Sequence, residues 1–464
     1  MKIALIYPFF GSTNNQPNIK VVAENYGVFP PLSLSYVAAV LENEGHEVKL
    51  IDANALNLSK SETLKLIKSF SPNLLMLGVT TYFFHQGLEW IRFFKKNTEL
   101  PIVVGGAHMS LYPAETLSYD EIDYGVIGEA EETLPEFVKA IASEKNLKEV
   151  RGVCYKNKGR IVITKPRGFF KNLDDSPFPA RRLLPNEKYY SFISQRKNFT
   201  GLITTRGCPY KCVFCEQGSK PYRIRSAKNV VDEIEECYNE YGIREIDIFD
   251  SSFSINKKRV LEICKQLRSR RIDLDWSVRT RVDLVGREML TVMSKAGCKR
   301  IYYGIESGDE QILRNIKKNS NLQLIRKTIS LTKQIGIDTF GYFMIGNPGE
   351  TEETIKKTIT FAKSLDLDYA QFSKVSTLPG TELYELLKKD LRYDYWKEYV
   401  LDKSKEIVLP RHDCSFSEQE IQDFVKKAYK EFYFRPSYMI KALLRLKSWH
   451  EFKRSAKVAK SFVC

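Results

Sequence analysis

Strand and helix signals alternate along most of this chain, in two series separated by a proline-rich segment. In the first series, apolar runs such as KIALIYP, NLLMLGVTT and PIVVGGAH are each followed by a stretch of helical periodicity, such as SLSYVAAVLENEG. Parallel strands joined by helical crossovers have this order, because each connection must return to the same end of the sheet. Residues 1–150 therefore predict a doubly wound parallel α/β sheet.

The carboxyl ends of these predicted strands carry small and polar residues. Ligands of a parallel α/β sheet bind at that edge, so these residues are candidates for a binding site. They are Thr80, Thr81, Gly105, Gly106, His108 and Gly128. No GxGxxG motif follows the first strand, which argues against an ordinary dinucleotide site.

A proline-rich segment separates the two series. Residues 151–163 (RGVCYKNKGRIVI) have the pattern of a β-hairpin that turns at 157–159. Prolines at positions 177, 179 and 185 then interrupt any regular element. We therefore expect a first domain over 1–150, followed by a hairpin and a proline-rich linker over 151–198.

The second series has six strand–helix units between residues 199 and 385. Its strands include GLITTRG, EIDIFDS, DLDWSVRT and KRIYYGIESG, and each precedes a run of helical periodicity. Six consecutive units predict a partial (βα)6 barrel of the TIM type, in which the segments after the strands converge on one mouth. The sequence thus indicates an α/β protein with two parallel sheets.

Residues 386–464 form a C-terminal region that is helical in pattern and basic. Its last 30 residues contain eight Lys and Arg against one Glu. Apolar residues on one side of this stretch are Leu443, Leu444, Leu446, Trp449 and Phe452. Two interpretations stay open for 435–464, namely a closing helix that packs on the barrel and an amphipathic contact with a membrane surface.

Composition bounds the cellular setting. The 464 residues contain no run of about 18 apolar residues, so no membrane-spanning helix is expected. The start MKIALIYPFFG has the pattern of a strand rather than of a signal peptide. Six isolated cysteines show no disulfide framework, and together these features predict a cytoplasmic protein. The net charge of +15 favours a polyanionic partner, or else reflects a lysine-rich composition alone.

The other three cysteines lie within eight residues, in the segment TTRGCPYKCVFC. Thiolates of Cys208, Cys212 and Cys215, on a loop after a strand, can hold three irons of a four-iron cluster and leave the fourth iron open. A structural zinc site usually has four protein ligands, and redox chemistry needs only two thiols. A zinc ion with three cysteines stays possible, but the position at a barrel mouth favours the cluster.

The spacing CxxxCxxC, with the aromatic Phe214 before the third cysteine, resembles that of the radical S-adenosylmethionine (SAM) enzymes. The resemblance covers about residues 165–440. It implies a 4Fe-4S cluster whose open iron is chelated by the methionyl amine and carboxylate of SAM. In that family, an electron from the cluster cleaves the sulfonium, and the resulting 5′-deoxyadenosyl radical abstracts hydrogen from the substrate.

Further positions at the strand ends match those that contact SAM in the family. The resemblance implies a contact of Asp250 and Ser251 with the methionyl amine, although a related subgroup has two aspartates here and Ser251 departs from it. Arg279 and Arg281 follow the third strand of the second series, where an arginine can hold a carboxylate with two hydrogen bonds. Glu306 in GIESG resembles the family position that contacts the ribose or methionyl group. Gly346 in GNPGET begins the turn that meets the adenine. An exposed strand end at Arg281 and a purely structural turn at Gly346 are the alternatives.

The N-terminal half resembles the cobalamin-binding domain of one large radical SAM subgroup, which includes Mg-protoporphyrin monomethyl ester cyclase and relatives in hopanoid biosynthesis. The segments PPLSLSYVAAVLENEGHEV, VVGGAH and VIGEAEETLPEFV carry this resemblance, as do PFPARRLLPNEKYYS and FYFRPSY. It implies that cobalamin contacts Thr80, Gly105, Gly106 and Gly128. The DxHxxG motif that supplies an axial histidine is absent. Cobalt then lacks that ligand, or cobalamin is not bound.

The resemblance implies cobalamin-dependent methylation of an unactivated carbon. Methylcobalamin would supply the methyl group, and the deoxyadenosyl radical would activate a lipid, isoprenoid or tetrapyrrole-like substrate. A reductant such as ferredoxin or flavodoxin would deliver electrons. Peptide or antibiotic precursors stay open as substrates.

Three other functions are compatible with parts of the pattern. One is corrin-independent cyclisation, oxidation or carbon–carbon coupling of a lipid-like substrate. Methylthiolation of transfer RNA is disfavoured, because residues 1–150 have no cysteine for a second cluster, and nucleic acid is accordingly a disfavoured partner. The third is a basic binding protein with a structural metal.

Overall fold

The structure is a computed structural model that describes residues 1–9, 27–402 and 411–445. The strands of the N-terminal part are β1 (Lys2–Tyr7), β2 (Gly27–Val28), β3 (Glu47–Asp52), β4 (Leu74–Gly78), β5 (Ile102–Gly105), β6 (Tyr124–Val126), β7 (Val153–Asn157), β8 (Arg160–Ile163) and β9 (Tyr190–Ser191). Its helices are α1 (Leu32–Asn43), α2 (Lys60–Phe70), α3 (Phe84–Asn97), α4 (Ala107–Leu111), α5 (Pro113–Leu117) and α6 (Thr133–Ala142).

The first sheet has the strand order β3-β1-β4-β5-β6-β7-β8. Its first five members are parallel, and β7 and β8 continue the sheet with antiparallel pairing. The predicted hairpin therefore exists, and it extends the first sheet beyond residue 150, where we expected the first domain to end.

Helices cover both faces of the first sheet, which explains why its strands are almost continuously apolar. Along β1, Ala4 and Ile6 face one core cluster, whereas Ile3 and Leu5 face another on the opposite side. A strand buried on both faces has no solvent side that could carry polar residues.

The C-terminal part contributes a second set of elements. Its strands are β10 (Phe199–Leu202), β11 (Thr205–Arg206), β12 (Arg223–Ile224), β13 (Glu245–Ile248), β14 (Asp275–Thr280), β15 (Cys298–Glu306), β16 (Asp338–Ile345) and β17 (Tyr369–Lys374). Its helices are α7 (Ala227–Glu240), α8 (Lys257–Ser269), α9 (Arg287–Lys295), α10 (Glu310–Asn315), α11 (Leu322–Gln334), α12 (Glu352–Ser364), α13 (Glu382–Leu391), α14 (Tyr395–Leu401), α15 (Glu418–Tyr433) and α16 (Pro436–Arg445).

The second sheet has the order β10-β13-β14-β15-β16-β17, and every neighbouring pair in it is parallel. This is the order expected of a six-unit partial barrel. Side-chain caps fix where several of its crossover helices begin, because each cap accepts a hydrogen bond from an otherwise unpaired backbone N–H. These caps are Ser226, Asn256, Asn321 and Thr351.

The proline-rich linker packs against both sheets. Arg181 is fully buried, and its Nη1 lies 2.7 Å from Oε1 of Glu233 on α7. The Tyr189 hydroxyl donates to Oδ2 of Asp52 at 2.8 Å, next to the end of β3. The segment therefore connects the two sheets through buried polar contacts.

The helices after β17 divide between the two sheets. Tyr395, Trp396 and Val400 of α14 belong to a core cluster of the first sheet. In contrast, Ile421 and Val425 of α15 pack in the core of the second sheet. The described helices of the predicted C-terminal region 386–464 therefore pack on both sheets.

Helix α16 lies next to the barrel, since the Tyr438 hydroxyl donates to the carbonyl oxygen of Asp368 at 2.7 Å. Met439 and Ile440 on the same helix are exposed. The predicted apolar side at Leu446, Trp449 and Phe452, like the side chains of Leu443 and Leu444, lies outside the described residues. None of the helices within the described ranges has the length and apolar character that a bilayer crossing requires.

Candidate cofactor site between the two sheets

Residues 207–222, called the cysteine loop here, connect β11 to β12, which form a two-stranded sheet of their own. The two short strands pair antiparallel, with Arg206 opposite Arg223, and they close the base of the loop. Gly207 has a φ of +76°, and a Cβ there would lie 2.2 Å from the carbonyl oxygen of Pro221. A Cβ on Gly218 would lie 2.4 Å from the carbonyl oxygen of Tyr210. Both close approaches need glycine.

The middle of the cysteine loop is anchored to the barrel. The Val213 N–H donates to the carbonyl oxygen of Ile316 at 3.2 Å, and the Val213 carbonyl accepts from the N–H of Leu383 at 2.8 Å. Phe214, the aromatic residue of the motif, is half-buried and packs against the core of the second sheet. Phe214 therefore helps to hold the loop in place.

Asp250 lies under the start of this segment. Its Oδ1 accepts from the backbone N–H groups of Thr204 and Thr205 at 2.7 and 2.9 Å, and its Oδ2 accepts from the Thr204 hydroxyl. Asp250 is fully buried, whereas Ser251 is exposed. The contacts of Asp250 fix the chain before the cysteines.

The thiols of Cys208, Cys212 and Cys215 are all half-buried. Burial raises the pKa of Cys212, and the positive charges of Lys318 and Arg281 oppose that rise. Across the described ranges, no three His, Cys, Asp or Glu side chains are placed to share one metal ion. A four-iron cluster does not need ligands that share one ion, because each cysteine binds a different iron.

Three charged residues approach the cysteine loop from the barrel side. The guanidinium of Arg281 lies 4.0 Å from the ring centroid of Tyr210, within the loop. Arg281 Nη2 also donates to the carbonyl oxygen of Lys318 at 2.9 Å. Lys318 Nζ in turn donates to Oε1 of Glu306 at 2.9 Å. Arg281 and Glu306, predicted from the sequence, are thus brought together, and Lys318 joins them.

The backbone at the end of β15 creates room for this ion pair. Glu306 has a φ of +70°, and the pairing with β16 is irregular between Gly304 and Glu306. A Cβ on Gly304 would lie 2.5 Å from Glu306 Oε1 and 2.7 Å from Lys318 Nζ. A left-handed non-glycine residue is costly and is characteristic of functional sites.

The turn after β16 is closed by its own carboxylate. Oε2 of Glu350 accepts from the N–H groups of Gly346 and Asn347 at 2.6 and 3.0 Å. Gly346 has a φ of +94°, and a Cβ there would lie 3.0 Å from the side chain of Arg411. The turn is therefore rigid, and the N–H of Gly346 is already bound.

The interior of the barrel below the mouth is aromatic. Arg279 forms two hydrogen bonds with Asp247, at 2.7 and 3.0 Å, and its guanidinium lies between the rings of Phe249 and Tyr302. Tyr302 also stacks on Tyr342 of β16, with ring centroids 5.8 Å apart. Arg279 therefore acts as part of the wall rather than as a free cation.

The first sheet presents an open edge, called the glycine shelf here, made of Thr80, Gly105, Gly106 and Gly128. Each follows or ends a parallel strand, and all except the half-buried Gly105 are exposed. Side chains built on Gly105 and Gly128 would meet nothing within 4 Å, whereas one on Gly106 would lie 2.7 Å from the carbonyl oxygen of Val79. The space next to Gly105 and Gly128 is therefore open.

The histidines near the shelf are engaged elsewhere. His108 is fully buried, with Nδ1 3.1 Å from the Thr81 hydroxyl and Nε2 2.9 Å from the Thr116 hydroxyl. His85 Nε2 lies 2.5 Å from the carbonyl oxygen of Tyr399. His46 lies at the opposite end of the sheet, beside the N-terminal amine. These contacts give His108 a structural role.

Ion pairs join the glycine shelf to the cysteine loop. Glu129 follows Gly128 directly, and its carboxylate binds both terminal nitrogens of Arg223, at 2.6 and 2.8 Å. Arg206, two residues before Cys208, lies 2.5 Å from Glu131 and 3.5 Å from Glu129. The two candidate cofactor sites are therefore adjacent.

Comparison with known proteins decides the family. Residues 202–362 match the model of the radical SAM superfamily, and residues 19–138 match that of the B12-binding domain. An uncharacterized methyltransferase of Pyrococcus horikoshii is 34% identical over 449 residues, which cover 95% of this chain and 94% of that protein. The chain belongs to the radical SAM superfamily. It also carries a B12-binding domain, so both predicted resemblances are confirmed.

Other radical SAM proteins align over most of the length. The anaerobic magnesium-protoporphyrin IX monomethyl ester cyclase of Rubrivivax gelatinosus is 26% identical over 95% of this chain and 78% of its own. The structure of the radical SAM methyltransferase TsrM from Kitasatospora setae, with cobalamin and a 4Fe-4S cluster bound, has a TM-score of 0.72 at 19% identity and covers 99% of this chain and 98% of that one. The cobalamin-dependent enzyme OxsB has a TM-score of 0.73 at 19% identity and covers 100% and 72%.

The cofactors of this radical SAM protein are accordingly a 4Fe-4S cluster, SAM and cobalamin. The chemistry of the residues fits them, since three thiols lie on one braced loop, a buried ion pair lies beside that loop, and the space at Gly105 and Gly128 of the shelf is open. Sequence reasoning missed Lys318 and the pairs of Glu129 and Glu131. Lys318 stands in a lysine-rich run, and the acidic residues read as the start of a helix.

Proposed function

We propose that this protein is a cobalamin-dependent radical SAM methyltransferase that acts on an unactivated carbon. The observation that carries the proposal is the contact of Glu129 with Arg223, because it places the glycine shelf beside the cysteine loop. Two cofactors that act on one substrate have to open onto the same space. The match of one chain to both family models supports the same arrangement.

The three cysteines would hold the cluster, and the shelf residues Thr80, Gly105, Gly106 and Gly128 would hold cobalamin. When bound, these groups supply a carbon-centred radical from SAM and a transferable methyl group. The protein keeps the cluster in place through the braced loop, and Gly207 and Gly218 allow the close backbone approaches that shape it.

The residues beside the loop suit the zwitterionic end of SAM. Glu306 would accept from the α-ammonium or the ribose, and Lys318 would bind the α-carboxylate. Arg281 holds Lys318 through its carbonyl oxygen, and Asp283 holds Arg281 at 2.9 Å. Gly346 would contribute the rigid turn against the adenine. Asp250 would act through the loop that it fixes, and the exposed Ser251 stays the candidate contact of the methionyl amine.

The substrate we propose is a lipid, isoprenoid or tetrapyrrole-like molecule. The aromatic wall of the barrel supports an apolar or planar substrate, because rings offer dispersion contact without demanding hydrogen bonds. The wall residues are Phe249, Tyr302, Phe340, Tyr342 and Tyr369. Relatives are named for tetrapyrrole and hopanoid substrates, which favours the same class.

A second candidate is corrin-independent cyclisation or oxidation of such a substrate. The alignment with a protein named as a cyclase over 95% of this chain favours it. The two proposals differ in whether cobalamin takes part in the reaction.

We further propose that α16 and the residues after it contact a membrane surface peripherally. Met439 and Ile440 are exposed on α16, next to Lys441. Exposed apolar residues flanked by cations suit the interface of an anionic bilayer. Deletion of 435–464 should abolish binding to anionic liposomes, and unchanged binding would contradict the membrane contact.

The net charge of +15 also suits an acidic reductant such as ferredoxin or flavodoxin.

One experiment tests the main proposal. The protein is purified anaerobically with cobalamin present, and its iron, its corrin and the 5′-deoxyadenosine formed with dithionite are measured. We expect about four irons and one corrin per chain. Four irons without corrin would contradict the methyltransferase and favour the second candidate.

A further inference from the structure

The contact between the glycine shelf and the cysteine loop is a compact ion cluster, formed by Glu129, Glu131, Arg206 and Arg223 and called the shelf–loop cluster here. Arg223 is 10% exposed and Glu131 is 7% exposed in their side chains. The pKa of Glu129 is lowered, because the hydrogen bonds of Arg223 and the charge of Arg206 outweigh the effect of burial. Such a shielded, bidentate pair is stronger and more directional than a surface ion pair.

A third segment completes the shelf–loop cluster. The N–H of Phe170 donates to Oε2 of Glu129 at 2.7 Å, and the Phe170 carbonyl accepts from Nη1 of Arg223 at 2.6 Å. The ring of Phe169 lies 5.0 Å from the guanidinium of Arg223. The linker backbone thus adds two hydrogen bonds to the pair of Glu129 and Arg223.

The residues of the shelf–loop cluster are close in the chain to both candidate cofactor sites. Glu129 is the neighbour of Gly128 on the shelf, and Arg206 is separated from Cys208 by Gly207 alone. Arg223 lies opposite Arg206 across the two-stranded base of the loop. A displacement of the loop relative to the shelf would have to break at least one of these contacts.

We infer that the shelf–loop cluster sets the distance between cobalamin and the 4Fe-4S cluster, so that Glu129, Arg206 and Arg223 are positioning residues. The inference rests on the proposed function, because a fixed separation matters only when both cofactors address one substrate. Other contacts hold the two sheets together, including those of α14 and of Arg181. The shelf–loop cluster therefore controls local separation rather than domain association.

The test is the magnetic interaction between the reduced cluster and cob(II)alamin in the holoenzyme, measured by electron paramagnetic resonance. This interaction falls with the cube of the distance, so a small displacement changes the splitting. We expect one splitting for the natural protein, a weaker and broader one for Glu129→Gln, and an intermediate one for Arg223→Lys. Glu121→Gln is the matched control, because it breaks a pair with Arg92 on the same domain and lies before β6, whereas Gly128 follows that strand. A spectrum of Glu129→Gln that equals the control would overturn the inference.

Hydrogen exchange of the full chain gives a second readout that does not need cobalamin. We expect Glu129→Gln to speed exchange about tenfold in both 128–132 and 205–225, since contacting charged partners couple energetically. Acceleration confined to 128–132 would contradict the inference. A chain that binds no corrin but shows joint acceleration would contradict the proposed function and with it the spacing of the two cofactors, and would confirm only that the shelf and the loop are coupled.

Discussion

The ammonium of Lys318 lies 2.9 Å from Oε1 of Glu306, and each side chain is only 9% exposed. The pair lies beside Cys212, where the charges of both residues act on the thiol. A buried cation and anion that pair with each other can instead each pair with the opposite charge of a zwitterion. This is the form in which SAM presents its amino-acid end.

We therefore predict that Glu306→Gln weakens the binding of SAM. The loss of one charged hydrogen bond should raise the Kd by about ten- to a hundredfold. The Kd is measured anaerobically on reconstituted protein, with iron content as a check on the cluster. Glu382→Gln is the control, because it removes the partner of the adjacent Lys317 in an exposed pair. Equal Kd values for the two variants would contradict a role of Glu306 in SAM binding.

The cysteines of the loop, unlike the other cysteines, should be needed for the iron–sulfur cluster and for the cleavage of SAM. Cys212→Ala should lose the visible absorption of the cluster and form no 5′-deoxyadenosine with dithionite, because one iron loses its ligand. Cys414→Ala, a half-buried cysteine outside the loop, should keep both. A Cys212→Ala protein that retains four irons and cleaves SAM would show that this thiol is not a ligand.

The glycines of the loop should be as sensitive as its cysteines. Gly207→Ala introduces a left-handed alanine and a Cβ 2.2 Å from a carbonyl oxygen, and should cost about 2–4 kcal/mol in the free energy of unfolding. Iron incorporation should fall with it. Gly286→Ala is the control, since a Cβ there meets nothing within 4 Å and its φ is −143°. Similar stability and iron content in both variants would refute the tight geometry of the loop.

Much of the fold could be predicted because its signals are local. Apolar runs of strand length between helical segments predict strands that are buried on both faces. Ile3 to Ile6 form such a strand in the first sheet, with side chains in two core clusters. The cysteine spacing is equally local, so a single short segment was enough to indicate the cluster. The prolines indicate a linker but give no sign that it is buried, since the burial of Arg181 depends on Glu233 on a later helix.

The parts of the site that escaped prediction depend on contacts between distant segments. Lys318 becomes distinctive only through Glu306, and that pair needs both a left-handed residue and the missing side chain of Gly304. Asp250 follows β13, and its oxygens accept hydrogen bonds from Thr204 and Thr205. No periodicity in a sequence reports the direction in which a strand-end side chain turns.

His108 should make stability depend on pH. The Thr116 hydroxyl donates to the carbonyl oxygen of Tyr112, so Nε2 of His108 donates to Thr116 and Nδ1 accepts from Thr81. Burial lowers the pKa of His108 to about 3. The unfolded chain binds a proton near pH 6.5 that the folded chain refuses, so stability falls as the pH drops below that value.

We predict that this dependence disappears in His108→Gln, which keeps a donor for Thr116. Between pH 7.5 and 5.5 the natural protein should lose about 1 kcal/mol more of its unfolding free energy than the variant. Urea unfolding at several pH values measures the difference. Parallel curves for the two proteins would mean that His108 takes up its proton over the same pH range in the folded and the unfolded state.

The glycine shelf should be needed for cobalamin and not for the cluster. Gly105→Ile introduces a residue that strands favour. The isoleucine side chain would project into space where a Cβ on residue 105 meets nothing within 4 Å. We expect the corrin content of the purified protein to fall about tenfold, the ratio that corresponds to about 1.4 kcal/mol of lost binding, while the iron content stays unchanged. Gly286→Ile is the control, because that glycine is exposed and far from the first sheet in the chain. If Gly105→Ile retains a full corrin complement, cobalamin does not lie on the shelf; if iron is lost together with corrin, the substitution acts on the fold and not on the shelf alone.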